Sequence, residues 1–90
     1  MKKVIGVFHD KAEATAEAWN KHKEAVSHIE GIVINDRSRQ ISLGDYTFLY
    51  GNIYNVSDAY AYSGIDFQAI FLNSDDEAVR HFMLNRLRPK

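Results

Sequence analysis

Two stretches of this chain are apolar without alternation: VIGVF at residues 4–8, and AIFL at 69–72 inside FQAIFLN. A strand with one wet face alternates polar and apolar side chains. An unbroken run therefore predicts a strand covered on both faces, as in the parallel sheets of α/β proteins. Both runs lead into helical spacing. After the first, Ala12, Ala16, Trp19 and Val26 share a stripe, and five alanines between positions 12 and 25 favour a helix. After the second, Val79, Phe82, Met83 and Leu87 recur until Pro89. Asp10 with Glu13, and Ser74 with Glu77, have the spacing of capping boxes at the two helix starts. Gly31 is placed to stop the first helix in a left-handed conformation.

Three shorter strands lie between. IVIN (32–35) is followed by a polar turn, DRS, and then by RQISL, in which polar and apolar residues alternate. Gly44-Asp45 is a two-residue hairpin signal ahead of YTFLY. Asn55 or Ser57 caps a short helix, DAYAYS, closed by Gly64. The order reads β-α-β-β-β-α-β-α. It predicts a single small α/β domain over residues 1–90, with two main helices and a mixed sheet that carries an antiparallel hairpin at one edge.

Composition narrows what such a domain does. A chain of 90 residues builds one modest core, and its 46% hydrophobic content is enough to fill it. The absence of cysteine excludes disulfides, thiolate zinc sites and a cysteine nucleophile, and agrees with a cytoplasmic setting. Twelve acids against eleven bases leave no overall field to hold the protein on nucleic acid or an anionic membrane. The first apolar run is far shorter than the roughly 20 residues of a membrane helix, and too short for a signal peptide. A soluble chain with no membrane partner is expected.

The end of the second apolar run bears on nucleotide chemistry. In P-loop motors the apolar strand leads directly into acids that hold magnesium and orient the attacking water. Here AIFL leads into Asn73 and Ser74, and Asp75, Asp76 and Glu77 come two positions late, a displacement of about 6 Å along a strand. In the first turn of a helix those acids suit the helix dipole instead. The surrounding order still resembles the post-P-loop part of the ATPase core of phage large terminases and DEAD-like helicases. KKVIGVFHDKAEATAEAW is similar to their second conserved strand and helix, SRQISLGDYTFLYG to the terminase edge hairpin, and YSGIDFQAIFLNSDDE to the approach to the acidic strand. The resemblance covers nearly all 90 residues. None of the five glycines precedes Lys-Ser or Lys-Thr, so neither a phosphate cradle nor magnesium ligands carry over. What the resemblance implies is a degenerate P-loop-like sheet of phage or mobile-element origin, acting as an inhibitor or decoy of a host factor.

Other catalytic constellations are not found. His22 and His28 are six apart, which puts them on different sides of a helix, and His9, Asp10 and His81 complete no ligand set. No G-x-S-x-G elbow stands around any serine. Asp66 reads as the exposed start of a strand. No catalytic residue, metal or cofactor is expected.

Aromatic residues give the sharper signal. Tyr46, Tyr50, Tyr54, Tyr60 and Tyr62 fall within seventeen residues, more rings than so small a core can hide. Tyrosine suits interfaces because its body is apolar and its tip polar. Arg37 and Arg39 on the hairpin turn would rim such a patch. The expectation is a non-enzymatic domain that binds a protein partner, or a second copy of itself, through Arg37, Arg39, Tyr46, Tyr50, Tyr54, Tyr60 and Tyr62. The helix with Lys21 and Lys23 would be a solvated face. A nucleic-acid-binding accessory protein, using Arg37, Arg39 and the basic residues Arg80, Arg86, Arg88 and Lys90, is the second reading. A small enzyme is the third.

Overall fold

The computed structural model describes residues 3–85. Its elements follow the expected order: β1 (Lys3–His9), α1 (Ala12–Val26), β2 (Val33–Asn35), β3 (Gln40–Leu43), β4 (Tyr46–Asn52), α2 (Val56–Tyr60), β5 (Phe67–Asn73) and α3 (Glu77–Leu84). Arg86, Leu87, Arg88, Pro89 and Lys90 lie outside the described residues.

One five-stranded sheet runs β2-β3-β4-β1-β5. The run VIGVF forms most of the central strand β1, parallel to β4 on one side and to β5 on the other. β2, β3 and β4 pair antiparallel, so the hairpin does close one edge of the sheet. Gly44 takes φ +60° in the tight β3–β4 turn, a backbone conformation that favours glycine.

The helices lie on opposite faces. α1 lays Ala18, Trp19 and Val26 over Val7, Ile34, Ile41, Phe48 and Tyr50. On the other face, α2 and α3 bring Ala59, Val79 and Met83 onto Phe8, Leu49 and Phe67. Trp19 is buried as its stripe predicts, but the stripe is turned by one position. Ala12 is exposed, while Thr15 is wholly buried, its hydroxyl donating to the Lys11 carbonyl at 3.1 Å.

Both predicted capping boxes are corrected. Asp10 comes too early to cap α1, because its N–H is still donated across the sheet to the Asn73 carbonyl at 3.0 Å. Lys11 is the residue at the cap, and its side chain makes no capping bond. At α3 the cap is Asp76 rather than Ser74. The Asp76 carboxylate accepts from the N–H groups of Ala78 (2.9 Å) and Val79 (3.2 Å). Ser74 closes the preceding turn, its hydroxyl accepting from the Asp76 N–H at 3.2 Å. For α2, Asn55 is the cap, in a reciprocal box with Asp58.

The helix layers are offset. α1 packs over β4 and reaches β1, β2 and β3, whereas α2 and α3 pack over β1 and β5 and reach β4. The central strands β1 and β4 are therefore covered on both sides, and the edge strands β2 and β5 on one. Val33 of β2 stays 62% exposed facing away from α1, and Phe71 of β5 stays 62% exposed on the α1 side. The expectation that FQAIFLN is covered on both faces is thus corrected: Phe67, Ile70 and Leu72 are packed, and Phe71 is not.

Candidate partner-binding surface

The seven expected contact residues do not form one patch. Strand alternation turns Tyr46, Phe48 and Tyr50 to the same face, and α1 occupies the middle of that face. Tyr50 is consequently buried, its ring edge-on to Trp19 at 5.6 Å. Its hydroxyl lies 2.8 Å from Nδ1 of His22, and burial raises the Tyr50 pKa while it lowers that of His22. A neutral imidazole and a protonated phenol, both so favoured, share this one hydrogen bond, and the imidazole tautomer sets its direction. Tyr50 is withdrawn from any partner. Tyr46 is half-exposed at the opposite end of β4, with the Lys3 ammonium over its ring at 5.4 Å.

Tyr54, Tyr60 and Tyr62 lie before, at the end of and after α2 along the chain. The cap of this one-turn helix is tightly made: Asn55 Oδ1 accepts from the Asp58 N–H at 3.1 Å, and the Asp58 carboxylate accepts from the N–H groups of Asn55 and Tyr54. That carboxylate fixes the backbone that carries Tyr54. Tyr54 and Tyr60, before and at the end of the helix, remain 70% and 61% exposed. Tyr60 leans on Phe82 of α3, ring centres 4.9 Å apart. Tyr62 turns inward, packing at 4.8 Å on Phe8 and over Gly51. Its pKa is raised by burial and by the Asp58 charge, while the Arg39 charge acts the other way. Arg39 itself holds a left-handed backbone, φ +53°, at the end of the β2–β3 turn. Arg37 is exposed on that turn, where its N–H donates to the Asn35 side chain at 3.1 Å.

Tyr54 and Tyr60 are thus the exposed rings that flank α2, Tyr62 is half-buried after it, and Arg39 is close enough to Tyr62 for its charge to act there. On the α1 face, Lys21 is exposed beside Glu17 and Lys23 is tied to Asp36 at 2.6 Å. Asp66 is exposed just ahead of β5, as its position in the sequence predicts, and it does have an interaction partner.

At the C-terminal ends of β1 and β5, the side chains of His9 and Asn73 approach to 3.4 Å. Open α/β sheets place ligands at such strand ends. Here the neighbouring start of α1 carries Asp10, Lys11 and Glu13, two acids and one base. Among the described residues no three His, Cys, Asp or Glu side chains gather where they could hold a metal ion. Missed in the sequence were His22, which belongs to the buried stripe of α1, and Phe71. Counting positions from Trp19 would have found the former (i+3), and nothing local marks the latter. Comparison of the chain with family models, curated proteins and solved structures finds no match.

Proposed function

We propose that this domain works by binding another protein, using the surface around α2. The observation that carries the reading is the pair Tyr54 and Tyr60. Tyr60 ends a helix of five residues and Tyr54 stands just before its cap, and both rings are held in the open. Large amphipathic rings on a locally fixed backbone are characteristic of interface hot spots. In the terminase-like frame the partner is a host factor that this chain inhibits or titrates, and the place where β5 ends in Asn73-Ser74 supports a role without nucleotide chemistry. The test is capture of the partner by immobilised protein, followed by titration. Tyr54→Ala and Tyr60→Ala should abolish or sharply weaken capture at unchanged fold. The same preparation run over single-stranded nucleic acid should pass without retention. Retention that falls steeply with salt would favour the nucleic-acid reading instead.

A further inference from the structure

We propose that β5 is the joint through which two copies of this chain associate edge to edge, extending the sheet across a two-fold axis. The two ends of the sheet are built differently. β2 is only three residues long and is followed by Asp36 and Arg37, the short, charged construction that keeps an edge from pairing. β5 is seven residues long, FQAIFLN, with no charge and no proline, and no described strand pairs with its outer side. A bare edge of that length and composition is a template for another strand.

The backbone sets the register. Asn73 gives its carbonyl to Asp10 of the loop after β1, so Ala69, Phe71 and Asn73 turn their backbone groups inward. By alternation Ile70 and Leu72 turn theirs outward. An antiparallel copy can then pair Ile70 with Leu72 in both directions, which satisfies the outward groups of both residues on both chains. In that register the two Phe71 residues face each other directly as a non-hydrogen-bonded pair. Phe71 is the 62% exposed ring on the face α1 leaves open. The same contact therefore answers two unmet demands, the open edge and the uncovered ring. It is isologous and closes on itself, and the guarded β2 edge limits growth to a dimer.

Sedimentation of the full chain over a concentration series tests this. The wild type should pass from monomer to dimer, and Phe71→Lys, with an unchanged circular dichroism spectrum, should stay monomeric. Because the chain has no cysteine, Phe71→Cys provides a second readout. A non-hydrogen-bonded pair sets its Cα atoms about 4.5 Å apart, within disulfide reach. Mild oxidation should therefore link that variant into dimers, while the equally exposed Val33→Cys on β2 should not link. A wild type that stays monomeric at every concentration overturns the proposal. So does a dimer that survives Phe71→Lys, or one that Val33→Cys cross-links as fast. Tyr54→Ala should leave the dimer intact, which separates this joint from the surface around α2.

Discussion

Gly6 lies at the centre of β1 with the rings of Phe8 and Phe67 against it. A Cβ there would meet Phe8 and would come within 2.9 Å of Phe67. Both rings are buried and have nowhere to move. Gly6→Ala is expected to destabilise by about 1–3 kcal/mol through overpacking, read as a lower denaturant midpoint at unchanged slope. A variant as stable as the wild type would mean the two rings are less confined than the packing requires. His22 carries a different prediction. Burial lowers its pKa in the folded state, so the unfolded chain binds the proton more readily. Stability should fall as pH drops below about 6.5, histidine's ordinary value, and level off once the folded-state pKa is passed. His22→Gln should lose less stability than the wild type between neutral pH and about 5.5. Parallel curves for the two proteins would remove His22 from the account.

At the level of elements, Asp76 rather than Ser74 starts α3. Asp76→Ala should cost about 0.5–2 kcal/mol, and more than Ser74→Ala, since the aspartate accepts two helix N–H groups and the serine accepts one turn N–H. The reverse order in thermal or urea melts would restore the cap to Ser74. This shift shows where sequence reading succeeds and where it stops. The order of all eight elements and both hairpin turns follows from apolar period and turn residues, because those signals are local. Asn55 was legible as the cap of α2, but the caps of α1 and α3 were misplaced because both helices start later than the local pattern suggests. β5 holds Asp10 in the sheet one residue longer than a capping-box pattern can reveal. Tyr50 failed for a related reason. Alternation placed it on a face with Tyr46 and Phe48, but only the assembled sheet shows that α1 lies across the middle of that face.

The described residues form a thin slab, 39 × 32 × 17 Å, with helix layers offset on opposite faces of the sheet. That offset leaves more apolar surface in the open than a fully covered α/β sheet would, and it supports association as the mode of action. The surface around α2 and the α1 face make opposite predictions for a bound partner. Lys21 and Lys23 lie on a face where one lysine is solvated and the other is occupied by Asp36, so reversing their charge should change affinity by no more than a few fold. Tyr54 and Tyr60 stand in the open on the α2 side. The most direct measurement is calorimetric titration of the captured partner into folded wild type, Tyr54→Ala, Tyr60→Ala and the Lys21→Glu/Lys23→Glu double variant. Tyrosine variants weakened by about 2 kcal/mol, with the lysine variant near wild type, are the predicted result. Loss of binding in the lysine variant with both tyrosine variants intact would place the site on α1 and contradict the reading.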